Sequence, residues 1–231
     1  MADGEHYLVL ENGSINIYSY KTGKKTGTLV KAENLIPKGY SVSLSIRSYS
    51  LSDDESVLLF PTETEKIYRR SSKSYYYIYS IPEKKIFPLS ENGKQQHATF
   101  SPEGNHIAFV RNNNLYIYNL KTKTEKQIAR DGEFNEIING SADWVYEEEF
   151  GFSKAFFWSP DGKKIAFYRF DESWVREFTM MLWDDLYPEP YTYKYPKAGE
   201  SNSIIDILVY NLDTEETTSM DIGKESDIYI P

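Results

Sequence analysis

Cysteine is absent from the 231 residues. That excludes disulfides, cysteine-ligated zinc and thiol catalysis. Histidine is scarce: His6, His97 and His106 are the whole set. No HExxH helix, EF-hand loop or phosphate-binding loop occurs. Gly23-Lys24-Lys25-Thr26-Gly27 reads as a hairpin turn, and Gly39-Tyr40-Ser41-Val42-Ser43 lacks the second glycine of a nucleophile elbow. No catalytic machinery, metal site or cofactor motif is therefore recognisable, and none is expected within this stretch. Long apolar runs are missing as well. Without about 20 consecutive apolar residues no helical membrane span is expected. Met1-Ala2-Asp3-Gly4-Glu5 has neither the basic start nor the apolar run of a signal peptide. Positive charge is in deficit: 26 Lys and Arg face 35 Asp and Glu, for a net charge of −9. That argues against a nucleic-acid binder, which shows a basic face, and suits a protein that attracts cationic groups.

What the chain has is hydrophobic and aromatic material. Hydrophobic residues make up 40% and aromatics 16%, enough for a sizeable core and favourable to β structure. A turn motif repeats. Phe100-Ser101-Pro102-Glu103-Gly104 leads into His106-Ile107-Ala108-Phe109, and Trp158-Ser159-Pro160-Asp161-Gly162 leads into Lys164-Ile165-Ala166-Phe167. A weaker copy starts at Ser52-Asp53-Asp54-Glu55. Proline at the second position fixes φ, and glycine at the fourth suits a type I turn. Folding the middle hairpin about Pro102 and Glu103 is expected to set His106 opposite Thr99. His97 and His106 themselves read as solvated or strand-face histidines.

A second phrase, an apolar strand and then a polar turn, recurs at Ile15–Tyr18, Tyr77–Tyr79, Leu115–Tyr118 and Ile207–Tyr210. Four strands in about 50 residues are the signature of propeller blades. The expected fold class is all-β, with about four four-stranded β-propeller blades, either a closed four-bladed ring or part of a larger one. Blades are expected at roughly 1–60, 61–110, 111–168 and 169–231. Ile228-Tyr229-Ile230-Pro231 reads as an incipient strand without a partner, a sign of a longer ring.

Two stretches interrupt the repeat. Residues 171–203 are too long and too aromatic for an ordinary loop, and such insertions are usually functional. The other contains Asp143-Trp144-Val145-Tyr146-Glu147-Glu148-Glu149-Phe150. Adjacent strand side chains point to opposite faces, so neighbouring carboxylates meet one ligand only where the backbone coils. A short helix is expected over 143–150, with Asp143 as N-cap. Crowded carboxylates repel unless a cation joins them. A peptide's α-ammonium brings one charge and three donors, each charge-assisted bond contributing about 1.5–3 kcal/mol. The same run also reads as a surface acidic turn. Residues 64–71 form a polar connection in which Arg69 or Arg70 either forks onto a carbonyl or carboxylate or is a solvated loop charge.

Asp143-Trp144-Val145-Tyr146-Glu147-Glu148-Glu149 resembles the double-glutamate motif of the dipeptidyl peptidase IV family, a branch of the prolyl oligopeptidases. Glu63-Thr64-Glu65-Lys66-Ile67-Tyr68-Arg69, Phe157–Gly162 and Tyr195-Pro196-Lys197-Ala198-Gly199 extend the resemblance over most of the chain, closest to bacterial members. The resemblance implies an N-terminal eight-bladed propeller and a C-terminal α/β-hydrolase domain that removes X-Pro or X-Ala dipeptides from free peptide N-termini. The serine triad would lie outside this chain, which is not expected to be catalytic alone. Glu148 and Glu149 would hold the substrate α-ammonium, and Arg69 would contact a substrate carbonyl. Glu147 would be the first, non-contacting glutamate. Residues 171–200 would be an arm used in homodimerisation. The implied partners are peptides with a free N-terminus and the hydrolase domain, and the implied location is periplasmic or cell-surface. Two readings compete: a stand-alone propeller acting as a protein-interaction scaffold, and a sugar-binding propeller using its aromatics.

Overall fold

The computed structural model describes residues 1–231. Antiparallel strands dominate it. The first sheet is a three-stranded meander of β1 (His6–Glu11), β2 (Ser14–Ser19) and β3 (Lys25–Val30). The second is β4 (Ser50–Leu51), β5 (Val57–Lys66), β6 (Ser72–Ser80) and β7 (Lys85–Pro88), paired in that order. The third is β8 (Gln96–Phe100), β9 (His106–Arg111), β10 (Asn114–Asn119) and β11 (Thr124–Gln127). Then come β12 (Ile137–Asn139), helix α1 (Trp144–Glu149), β13 (Phe156–Trp158) and β14 (Lys164–Asp171). A two-stranded hairpin, β15 (Glu177–Leu182) and β16 (Glu189–Lys194), precedes β17 (Ile204–Asn211) and β18 (Thr217–Ser219). In the fourth sheet β14 is central, flanked by β12 and β13 on one side and β17 on the other.

The repeated phrases land where the pattern requires. The four tyrosine-rich phrases lie in β2, β6, β10 and β17, and each returns through a polar turn into β3, β7, β11 or β18. The three copies of the turn share one hydrogen-bond scheme. Val57 N donates to Ser52 Oγ at 3.0 Å, His106 N to Ser101 Oγ at 3.0 Å and Lys164 N to Ser159 Oγ at 2.9 Å. The fourth position is left-handed in all three, with φ of 55° at Glu55, 73° at Gly104 and 67° at Gly162. The weak copy therefore adopts the same turn and accepts the strain of a side chain there.

Several expectations need correction. Ser101 N bonds to His106 O at 2.9 Å, so His106 lies opposite Ser101, and Thr99 pairs with Ala108. The left-handed Gly104 places the turn centre one residue later than Pro102-Glu103 does. The polar connection after Phe60 is shorter than read: β5 continues through Glu63, at φ 48°, to Lys66, leaving 67–71 as the loop. The blade boundaries expected after 60, 110 and 168 fall inside β5, β9 and β14, because the serine turns join strands of one sheet. Residues 228–231 form no strand. Ile230 is held instead by two hydroxyls: its N donates to Tyr146 Oη at 2.7 Å, and its O accepts from Tyr168 Oη at 3.2 Å. Of the two readings of His97, the strand-face one holds: it lies in β8 with its ring enclosed. Its Nε2 is buried without a partner, and burial with the nearby Lys154 lowers its pKa to about 4.

The chain forms two compact units: residues 1–65, 73–95 and 103–105, and residues 66–72, 96–102 and 106–231. The first has a core of Ile15, Val30, Leu35, Leu58, Phe60 and Tyr79. The second has two clusters, one around Val110, Leu115, Phe156, Ile165 and Phe167, the other around Tyr146, Ala155, Phe170 and Ile205. The second unit contains α1 and loop 67–71.

Candidate functional site

Helix α1 has six residues, too few to be stable alone. Its ends and one face are fixed instead. Asp143 takes extended backbone and its Oδ1 accepts from Tyr146 N at 2.8 Å, the N-cap bond. Its Oδ2 accepts from the Ser203 hydroxyl at 2.6 Å. Burial pushes the Asp143 carboxyl up, opposed by those bonds. The helix ends at Phe150, and Gly151 follows at φ 76°, the left-handed exit glycine supplies cheaply. Tyr146 anchors the inner face with ring centroids 4.9 Å from Phe150, 5.6 Å from Phe152 and 5.0 Å from Phe170.

This coil gives the three glutamates different surroundings. Glu147 points inward and is 1% exposed. Its Oε1 accepts from Arg70 N at 2.6 Å and Ser71 N at 2.8 Å. Glu148 is partly covered, and its Oε2 lies 3.1 Å from Arg69 Nε. The Arg69 side chain is 75% exposed, so solvent screens the pair and its stabilisation is about 0–1 kcal/mol. The pair matters for direction rather than stability: it turns the guanidinium toward α1. Glu149 is exposed and lines a cavity of about 620 Å³ with Trp144, Val145, Phe178, Tyr195 and Tyr229. Arg69 and Glu148 are thus brought together, while Glu149 lines a cavity whose walls include neither of them.

Aromatic side chains from the hairpin complete the site. Sequence reasoning gave them no role in the site. Tyr68, beside Arg69, is largely buried with its ring 5.8 Å from Tyr193. Its hydroxyl pKa is raised, by burial first and then by Tyr191, Glu172 and Tyr193. The Tyr193 hydroxyl is raised by burial, by its tyrosine neighbours and by the negative charge of Glu148. Trp144 meets Tyr195 edge-on at 4.2 Å. The signal that could have found these residues is the alternation Tyr191-Thr192-Tyr193-Lys194-Tyr195, which puts three tyrosines on one side of β16 and its extension.

The arrangement offers a carboxylate paired with an arginine, a second carboxylate one residue on, and aromatic walls. That combination can bind a group carrying both a cation and a carbonyl. Comparison with known proteins decides the family. Residues 52–231 match the family described as dipeptidyl peptidase IV (DPP IV) N-terminal region. The chain belongs to this family. The probable dipeptidyl peptidase 4 of Aspergillus clavatus is 35% identical over 229 residues, covering 95% of this chain and 28% of that protein. Dipeptidyl aminopeptidase B of Saccharomyces cerevisiae is 34% identical over 213 residues, 89% of this chain and 25% of that protein. The crystal structure of Porphyromonas gingivalis dipeptidyl peptidase 4 superposes with a TM-score of 0.90 at 42% identity, over 100% of this chain and 33% of that one. The chain thus spans between a quarter and a third of the length of these dipeptidyl peptidase IV-like relatives and corresponds to their N-terminal region. Its four larger sheets are β-propeller blades.

Proposed function

We propose that this chain is the substrate-recognition part of a serine exopeptidase that releases X-Pro or X-Ala dipeptides from peptide N-termini. Glu148 and Glu149 hold the substrate α-ammonium, and Arg69 contacts a substrate carbonyl. The serine triad belongs to a C-terminal α/β-hydrolase domain outside the chain. The observation that carries the reading is the 3.1 Å pairing of Arg69 Nε with Glu148 Oε2, one residue before the Glu149 that lines the cavity. Residue pattern alone left Arg69 and the acidic run as separate candidates, and the family resemblance joined them.

The mechanism is a ruler. Fixing the ammonium at a set distance from a serine leaves room for two residues between anchor and nucleophile. Binding energy spent at the amino end then positions the scissile carbonyl for attack. A free α-amine titrates near pH 7.7–8.0. Two carboxylates favour its charged form, so binding persists slightly above that range and then falls. An acetylated N-terminus offers neither charge nor donors. The test is Glu149→Gln in the full-length enzyme. Loss of one charge-assisted bond, about 1.5–3 kcal/mol, is expected to lower kcat/KM by roughly 10- to 150-fold without altering the circular dichroism spectrum. Unchanged kinetics would refute the anchor.

The reading includes a homodimer formed through the 171–200 arm and export to the periplasm or cell surface. The arm's exposure supports the dimer: Trp183 is 74%, Leu186 86% and Tyr187 77% exposed. Exposed apolar side chains gathered in one segment suit a protein contact, and they are also what a stand-alone interaction scaffold would present.

A further inference from the structure

Glu147 has no role in substrate contact, yet it makes the most specific bonds in the site. A carboxylate removed from water must find donors or it destabilises the fold. Glu147, 1% exposed, finds both of its donors in the backbone of one loop, the amides of Arg70 and Ser71, 77 and 76 positions earlier in the chain. That loop is closed on itself. Ile67 N donates to Ser71 O at 3.1 Å, and Tyr68 N donates to Ser71 Oγ at 3.1 Å. The loop's own acceptors are thus turned inward, and the amides at 70 and 71 are left for α1. Charge-assisted bonds from a carboxylate to backbone N–H are about twice as strong as neutral ones. Arg69 is the residue immediately before the gripped amides.

We propose that Glu147 is the positioning residue of this site: it locks the 67–71 loop to α1 so that Arg69 projects toward the substrate from a fixed backbone. The inference rests on the peptide-anchoring reading above and deepens it. The three glutamates then divide the work. Glu147 holds the backbone of the arginine loop, Glu148 steers the guanidinium, and Glu149 faces the hollow. An exposed arginine has about 2 kcal/mol of rotamer freedom, and a mobile backbone would add to what binding must freeze out. A fixed loop removes that part of the cost before the peptide arrives.

The experiment measures two quantities on the full-length protein with its nucleophilic serine replaced by alanine: amide hydrogen exchange at Arg70 and Ser71, and affinity for an X-Pro tripeptide with a free amino terminus. Glu147→Ala is expected to speed exchange at both amides at least tenfold and to weaken the tripeptide at least tenfold. Glu147→Gln keeps a neutral acceptor and is expected to fall between, with both changes severalfold. Arg69→Ala is expected to weaken the tripeptide while leaving the two amides protected, which separates loss of the ligand-contacting group from loss of its support. Unchanged exchange in the Glu147 variants, or faster exchange with tripeptide affinity retained, overturns the proposal. Should Glu147→Ala not fold, Glu147→Gln decides by the same two readings. A protein that keeps Glu147 but does not bind the tripeptide sinks the anchoring reading and the positioning role together. One that binds, with Glu147 variants binding equally well, sinks the positioning role alone.

Discussion

Glu172 shows how the neighbourhood of the site loads a single side chain. It is 6% exposed, and its N–H bonds to Glu136 O at 2.8 Å. Burial raises its carboxyl pKa from 4.5 to about 8; Asp143, Glu136 and Asp171 add to the shift, and Lys194 opposes it. The unfolded chain gives up this proton near pH 4.5, whereas the folded chain keeps it up to about pH 8. Between those values the folded state binds more protons, so this group's contribution to stability falls as pH rises, by at most about 1.4 kcal/mol per pH unit. Glu172→Gln is expected to flatten that decline and to raise Tm relative to wild type at pH 8. Thermal melts at half-unit intervals from pH 5 to 8.5 check it, and parallel curves for the two proteins would contradict the assignment. At this scale the site was partly legible. The acidic run is readable because three adjacent carboxylates among aromatics are unusual, and Arg69 because it follows Tyr68 in a polar connection. The partners of Glu147 were not readable. They are backbone amides, and an amide leaves no trace in residue identity. Tyr193 was hidden for another reason: its approach to Tyr68 depends on the register of β15 against β16, which pairs Phe178 with Tyr193.

Elements repeat the same contrast. The strand phrases and the serine turns were legible because a turn needs particular chemistry: a hydroxyl at its first position and a left-handed residue at its fourth. Helix α1 was legible from its cap, since Asp143 precedes a run that cannot serve as a strand. The extent of β5 was not, because Thr62–Lys66 is polar and only pairing with β6 keeps it extended. The insertion at 171–203 read as functional by length but gave no shape. It contains a hairpin with residues of both β15 and β16 exposed, among them Phe178, Met180, Met181 and Leu182. Its tip carries Trp183, Leu186 and Tyr187. If the arm is a dimer contact, charges at the tip must break it. Trp183→Glu with Leu186→Glu is expected to convert the full-length protein from dimer to monomer by multi-angle light scattering, with Tm changed little because these residues pack against little of their own chain. A variant that stays dimeric, or a wild type that is monomeric at tens of micromolar, would remove the arm from the account.

For the whole molecule, sequence yields the architecture more readily than the boundaries. Propeller blades follow from counting strands between turns, a local property. Where one sheet ends and the next begins depends on which strands share hydrogen bonds, a non-local one. The serine turns sit inside sheets, so dividing the chain at the nearby apolar strands cuts β5, β9 and β14. The net charge of −9 likewise constrains the partner only in sign. In the proposed function, what concentrates that charge into recognition is a single six-residue helix with its two ends pinned. The decisive measurement is a crystal structure of the full-length protein with an uncleaved X-Pro peptide bound. The account requires the peptide's terminal nitrogen to lie within about 2.7–3.2 Å of carboxylate oxygens from both Glu148 and Glu149, with the Arg69 guanidinium on a peptide carbonyl. A terminal nitrogen in open solvent, or held by other residues with Glu148 and Glu149 unengaged, would contradict it.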